Sequence, residues 1–493
     1  MIHLYASEAG AFASLVLFII IFSLFWVFRV GWSREASAVD VLVLLVSCAF
    51  GCRMAAKGKM CQWPKNVDFT GRVALVVGGS SGVGFSTAEQ LAEHGWTVIL
   101  AARNTERLIY AKKCIERRLK RCRSKGEVKV LGTVDLRSDA SIRAYVKSLA
   151  AVKDKLPVGL LVMAAGALHR RLVFVGELKE LKTGEASVVS SPAEWRGLEC
   201  MLASNAVGPF LFTQLLLPLL DETAEKSSVT SRIVNVSSSC HSFLGLGRQS
   251  AYDPVAMLRG LDKRGAEVAA GRRGTTAGGG SVDSGKAKDP YYIKDFSFTN
   301  FVGYYGLSKL CVMWNTRLLA HQVAMMRFTK STGLTTPKMR KVENGGKKAL
   351  PPPTTTTSTT SSNSIPLSPQ ESERHSPLKI YVACTHPGIV STYLYRELFS
   401  PRVLDFLIYY PSLVIGKTWF ESAQSTLKAA VEDTDMVHGG YYLCGGEYGP
   451  ESGVNCVSDH AQNPEHLHAY RKWLMGKVEA SMKTTRAEEK ERE

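Results

Sequence analysis

Tyr305 and Lys309 stand four residues apart in the run Tyr-Gly-Leu-Ser-Lys. On a helix, positions i and i+4 share a face. An ammonium beside a phenol favours the phenolate and lowers the phenol's pKa from about 10. A tyrosine tuned in this way exchanges a proton with a carbonyl or alcohol oxygen near neutral pH. Ser238, which closes Arg-Ile-Val-Asn-Val-Ser-Ser, can donate a hydrogen bond to that same oxygen. A tyrosine and a lysine at this spacing are common by chance. Tyr304 precedes Tyr305, but only Tyr305 lies four residues before Lys309.

A second constellation lies near residue 80. Residues 72–77, Arg-Val-Ala-Leu-Val-Val, form a β-branched run that predicts a buried strand. Gly78-Gly79-Ser80-Ser81-Gly82-Val83-Gly84 follows, then residues 85–94 with helical periodicity, a stop at Gly95 and a second strand over 97–101. Strand, glycine turn, helix, strand is the dinucleotide-binding unit. Glycines let backbone approach a pyrophosphate, and the helix N-terminus offers free N–H groups and the positive end of the dipole.

The spacing of Gly78, Gly82 and Gly84 resembles the TGxxxGxG pattern of the short-chain dehydrogenase/reductase family, with Val77 in place of the threonine. Other motifs of that family follow in order. Asp135-Leu136 comes after a strand expected over 128–134. Ala165-Gly166 matches the second half of NNAG, whose asparagines are here Met163 and Ala164. Asn205 fits the NxxG helix, Tyr305 and Lys309 fit YxxxK, and Pro387-Gly388-Ile389-Val390-Ser391-Thr392 fits the PGxVxT loop.

The resemblance implies a Rossmann-type α/β fold, a doubly wound parallel sheet in one domain with long inserts. It implies Asn205, Ser238, Tyr305 and Lys309 as the catalytic set, with Lys309 also on the nicotinamide ribose and Asn205 positioning a relay water. It implies a cofactor site of Gly78, Ser80, Ser81, Gly82, Val83, Gly84, Arg103, Asp135, Leu136, Ala165, Gly166, Tyr305, Lys309, Pro387, Gly388, Val390 and Thr392. In NAD-preferring relatives an acid follows the second strand; here Ala102 and Arg103 stand there, and an arginine grips a 2′-phosphate, so NADP(H) is expected over NAD(H). The Ser237-Ser238-Ser239-Cys240-His241 run, the Ala102-Arg103 pair, the apolar N-terminus and the run 440–445 are similar to retinol-dehydrogenase-like members, which act on retinoids, sterols or other lipids. The expected activity is alcohol–carbonyl interconversion on a small hydrophobic substrate. Reduction of soluble carbonyls and a cofactor-binding scaffold are the rival readings. A homodimer is an open possibility, and no metal site is expected.

The elements that must position these residues are interrupted by unlike segments. The chain has 493 residues. Residues 1–65 are apolar, then basic. Residues 66–478 carry the domain, with inserts at 167–195, 247–290 and 328–376, the last holding a Pro/Thr/Ser run expected to be disordered. Residues 479–493 form a charged tail. Setting aside residues 1–65, 247–290, 328–376 and 479–493 leaves about 320 residues for one large α/β domain.

Residues 11–28 are apolar apart from two serines, and with Gly10 and Val30 they approach the ~20 residues of a spanning helix. Arg29 and Arg34 follow, which places the C-terminal side in the cytosol. A signal peptide is the rival reading, but it wants a basic start and residues 1–10 carry Glu8 and no Lys or Arg, so an uncleaved membrane anchor is expected, with the endoplasmic reticulum or lipid droplet as the expected surface. Val41–Phe50 is too short to span; a hairpin return arm, an interfacial helix and a helix packed on the domain are its three readings.

Net charge is +17, with eleven Lys/Arg against three Asp/Glu in residues 103–129. That run reads as a helix with Leu108, Cys114 or Ile115, Leu119 and Cys122 on one face. Without a zinc-finger or RNA-binding motif, nucleic acid is not an expected partner. Eleven scattered cysteines without a CxxC pair suit a reduced compartment.

Overall fold

A computed structural model describes residues 60–169, 172–176, 195–227, 229–243, 253–270, 298–332, 379–388, 416–432, 438–442 and 457–490, with single positions between 23 and 58 and at 390 and 394. Seven parallel strands form one sheet in the order β3-β2-β1-β4-β5-β6-β7. They are β1 (Val73–Val77), β2 (Thr97–Ala101), β3 (Glu127–Lys129), β4 (Val158–Met163), β5 (Ser231–Val236), β6 (Ile380–Thr385) and β7 (Tyr441–Tyr442). This is a Rossmann-like doubly wound sheet, and its strand order reverses between β1 and β4.

Alternation along β1 builds both cores. Val73, Leu75 and Val77 enter one apolar cluster, while Ala74 and Val76 enter the other. Burial on both faces explains why the strand reads as an unbroken apolar run. The helices divide accordingly. The second face is covered by α1 (Gly82–Glu93), α2 (Thr105–Cys122) and the later α7 (Gln424–Val431). The first face holds α3 (Asp139–Ala150), α4 (Gly208–Lys226), α5 (Pro254–Ala269), α6 (Phe298–Thr332) and α8 (Pro464–Lys490). Among the described residues, the stretch Cys200–Lys226 is long and apolar enough to cross a membrane, yet 83% of its apolar window is buried inside the domain. It is a core helix.

Several local readings are refined. On α2 the buried positions are Leu108, Ala111, Ile115 and Leu119, whereas Cys122 is exposed. Asn104 caps this helix by accepting from Arg107 N–H at 2.7 Å. Strand β3 pairs with β2 over only three residues. The chain then leaves the ladder and returns where Val134 N–H donates to Ala102 O at 3.0 Å.

The insert 247–290 contains the 16-residue α5, capped by Asp253. Helix α5 packs so closely on the ends of the 167–195 insert that a Cβ on Gly265 would meet Gly197 O at 1.8 Å. Phe174 within that insert and Glu199 just beyond it pair antiparallel. Helix α6 continues through Thr332, past the expected insert start at 328, and α8 continues into the expected tail as far as Lys490. The Pro/Thr/Ser run lies outside the described residues. Leu42, Val43, Val46 and Phe50 are helical and exposed, which does not fit Val41–Phe50 packed on the domain.

Candidate active site

The glycine turn joins β1 to α1 at the point where the strand order reverses. Gly78 has φ +90, and a Cβ there would meet Ala165 N at 2.5 Å. A Cβ on Gly84 would meet Gly78 O at 2.4 Å. The two glycines therefore press β1, α1 and the Ala165-Gly166 segment together. Ala164 N–H donates to Val77 O at 2.9 Å, so backbone contacts brace this junction where NNAG side-chain amides are missing.

Ser81 is extended and its side chain does not cap α1. Phe85 N–H donates to Ser81 O at 3.2 Å, and the turn positions before it, Gly82, Val83 and Gly84, begin the helix. Ser80, Ser81 and Val83 are half-buried along the cleft. A helix N-terminus without a side-chain cap, at a turn whose glycines let β1, α1 and the Ala165 segment close together, fits a dinucleotide pyrophosphate.

Arg103 is exposed at the end of β2. Its charge, with that of Arg137, faces Asp135. Burial alone would raise the Asp135 carboxyl, but Arg137 outweighs it and the pKa is lowered. Arg137 grips the carboxylate at 3.0 Å to Oδ1 and 2.6 Å to Oδ2. This carboxylate, implied in the cofactor site, is thus taken up within its own loop. Leu136 is buried, and its carbonyl lies so near α4 that a Cβ on Gly208 would meet it at 1.9 Å.

Asn205 does not sit in regular α-helix. It occupies a π turn, Ala203–Val207, ahead of α4. Its side chain is buried and doubly tied to Ala167, accepting from the N–H at 2.7 Å and donating to the carbonyl at 2.9 Å. It also donates to Ser308 Oγ at 3.0 Å. Through these bonds Asn205 links the Ala165-Gly166 segment to the helix that carries Tyr305 and Lys309.

Lys309 is buried on α6. Its Nζ donates to Val236 O at 3.1 Å and lies 5.7 Å from the centre of the Tyr305 ring. A Cβ on Gly166 would come within 3.7 Å of that Nζ. Ser237 Oγ donates to Lys309 O at 2.9 Å, locking the end of β5 to α6. Burial lowers the Lys309 pKa to about 8, so the side chain stays mostly cationic at neutral pH.

Ser238 follows, half-buried, with Cys240 N–H donating to its Oγ at 3.3 Å. Tyr305 is 8% exposed and lies in an apolar cluster with Leu168 and Met201, flanked by Cys240, Tyr304 and Leu394. Pro387 and Gly388 extend beyond β6, and Val390 bridges to the Lys417 backbone; Thr392 lies outside the described residues.

Two histidines hold the Ser238 turn, and sequence spacing gave them little weight. His241 Nδ1 bonds Ser238 O at 2.7 Å, and His386 Nδ1 accepts from Ser239 N–H at 3.3 Å. Burial lowers His241 to about 4 and His386 to about 3, so both are neutral at pH 7. His386 immediately precedes the Pro387-Gly388 motif, a position that offered the only local hint. Glu199 was missed as well. Its buried carboxylate accepts from Met201 N–H at 2.9 Å and Leu202 N–H at 2.8 Å at the start of the Asn205 segment.

Residues 72–253 match the family model described as short chain dehydrogenase. The chain is 30% identical over 178 residues to short-chain dehydrogenase TIC 32 B, chloroplastic, of Brassica napus, covering 36% of this chain and 48% of that protein. It is 31% identical to (-)-isopiperitenone reductase of Mentha piperita, covering 36% and 60%. It is 34% identical to retinol dehydrogenase 11 of Homo sapiens, covering 36% and 45%. The chain spans about half the length of these curated relatives. The matched segment, 182 of the 493 residues, contains the glycine turn, Arg103, Asp135, Asn205 and Ser238, and over that segment the chain is similar to the short-chain dehydrogenase family.

Proposed function

We propose that the chain is an NADP(H)-dependent oxidoreductase that interconverts a hydrophobic alcohol and its carbonyl. The observation that carries this reading is the placement of Lys309 Nζ, held by Val236 O and set 5.7 Å from the Tyr305 ring. A cation held there favours the phenolate, so Tyr305 can deliver its proton to a carbonyl oxygen or take one from an alcohol. Ser238 Oγ, at the mouth of the same turn, steadies the charge on that oxygen. Asn205 ties the floor of the site to α6.

NADP(H), when bound, supplies or accepts the hydride. Gly78, Gly82 and Gly84 with the start of α1 hold its pyrophosphate. Lys309 and the Pro387-Gly388-Val390 segment hold its nicotinamide end. Arg103 holds the 2′-phosphate, and the arginine in place of an acid supports the NADP(H) preference. Asp135 and Leu136 stand at the adenine end. The apolar cluster of Leu168, Met201, Cys240, Tyr304 and Leu394 around Tyr305 supports a hydrophobic substrate such as a lipid carbonyl.

The apolar N-terminal segment, with Leu24 and Val27 helical and exposed, supports a membrane anchor that leaves the domain on the cytosolic side. The endoplasmic reticulum and the lipid droplet are the surfaces it suits.

The test is NADPH oxidation by the purified chain against a panel of aldehydes and ketones of increasing chain length. Tyr305→Phe removes only the hydroxyl and should abolish turnover while NADPH binding and the denaturation midpoint persist. Turnover retained by that variant would refute the assignment.

A further inference from the structure

The segment after residue 457 lies beyond the part that matches the family model, yet it reaches the site from two sides. The first route runs through His241. Ser238 O can only accept, so the 2.7 Å contact places the proton on His241 Nδ1. Nε2 is then an acceptor, and Ser458 N–H donates to it at 3.4 Å. The His241 backbone N–H also donates to Ser238 O, at 3.2 Å. Two donors on one carbonyl fix the plane of the peptide that follows Ser238. Ser458 is itself held, because its Oγ caps the helical turn Asp459–Gln462.

The second route runs through α8. Tyr470 OH donates to Asn315 Oδ1 at 2.8 Å, and Asn315 Nδ2 donates to Ala206 O at 2.9 Å. Ala206 is the neighbour of Asn205 in the π turn. Asn315 lies on α6, six residues beyond Lys309. Tyr470, Asn315 and His241 are all buried. The segment also grips α6 directly: Trp314 Nε1 donates to His460 O at 3.2 Å and Arg317 to Ala461 O at 2.5 Å.

We propose that Ser458–Tyr470 is a positioning element for catalysis, aligning Ser238 through His241 and Asn205 through Tyr470 and Asn315. His241 and Tyr470 are positioning residues; neither touches substrate. The proposal rests on the assignment of Ser238, Asn205, Tyr305 and Lys309 given above. A buried hydrogen-bonded network of this kind holds groups to the sub-ångström placement that catalysis needs, where a 1 Å error costs roughly 100-fold in rate.

The experiment is a set of double-mutant cycles on the full chain, read as NADPH oxidation with decanal. His241→Phe fills the space without either hydrogen bond. It should lower kcat at least about tenfold and leave the KM for NADPH within about twofold. His241→Asn places an amide N–H where Nδ1–H stood and should recover most of the loss. In a Ser238→Ala background the same His241→Phe change should cost less than about twofold, because its effect passes through Ser238. Tyr470→Phe should likewise slow turnover, and that loss should vanish in an Asn205→Ala background.

Equal losses with and without Ser238 would show that His241 merely supports the fold and would overturn the proposal. So would unchanged turnover in His241→Phe and Tyr470→Phe. If His241→Phe does not fold, Tyr470→Phe with and without Asn205→Ala carries the cycle. Turnover surviving in Tyr305→Phe would refute the catalytic assignment itself, a result separate from additivity at His241.

Discussion

Gly78 and Gly71 offer a controlled comparison. Both have positive φ, +90 and +83, so an alanine at either position takes on the same kind of backbone strain, about 1–2 kcal/mol. They differ in surroundings. A Cβ on Gly71 meets nothing within 4 Å. A Cβ on Gly78 would lie 2.5 Å from Ala165 N, 2.7 Å from Ala165 Cα and 2.8 Å from Ala164 C. All three are backbone atoms of the segment leaving β4, so no side chain can swing away. Overpacking of that kind costs about 1–3 kcal/mol more. Gly71→Ala should therefore destabilise by about 1–2 kcal/mol and Gly78→Ala by about 2–5 kcal/mol.

The assay is urea unfolding followed by tryptophan fluorescence, with NADPH affinity measured on the same samples. Separation of β1 from β4 also spoils the cradle, so Gly78→Ala should weaken NADPH at least about tenfold, or about 1.4 kcal/mol, while Gly71→Ala leaves affinity unchanged. Equal destabilisation by the two alanines, or unaltered NADPH affinity in Gly78→Ala, would refute the close-approach argument.

Arg103→Asp replaces a phosphate-gripping cation with a repelling anion and should cut the NADPH-over-NADH preference about tenfold or more, measured as the ratio of Kd values. Asn205→Ala leaves the Ala167 N–H and carbonyl without this side chain's two bonds and removes its donation to Ser308 Oγ; it should cost about 3 kcal/mol in urea unfolding and most of the turnover. The buried histidines predict acid sensitivity. His241 and His386 have folded pKa values of about 4 and about 3, below the 6.5 of a free imidazole, so the unfolded chain binds the extra protons. Their contribution is complete above pH 6.5 and lost as pH falls toward 4 and then 3. It is worth on the order of a few kcal/mol, and His386→Asn should flatten that slope in urea midpoints measured from pH 7 to 4.

What the sequence determined by itself is local. The glycine turn between a β-branched run and a helical period, the four-residue spacing of Tyr305 and Lys309, and the strand that runs out toward Ser238 are each set by residues within one turn or one strand. Periodicity reports such features because side-chain direction repeats every 3.6 residues on a helix and every two on a strand. The same reasoning read β1 and β2 almost to the residue, since strands buried on both faces leave an unbroken apolar signature.

Tertiary structure decided the rest. Asn205 looked like an ordinary helical residue, and only the fold shows it in a π turn tied to Ala167, 38 positions away. Arg137 closing on Asp135 depends on a side-chain rotamer, which spacing does not encode. The segment 247–290 has a weakly apolar composition, yet α5 forms within it because Gly265 finds Gly197 and Trp473 finds Asp262. His241 meets Ser458 across 217 residues, and Tyr470 meets Asn315 across 155. No local period links such pairs. Each stands where it does because burying both faces of one sheet brings distant segments together, and there a buried polar group must find its partner or bear the cost of desolvation.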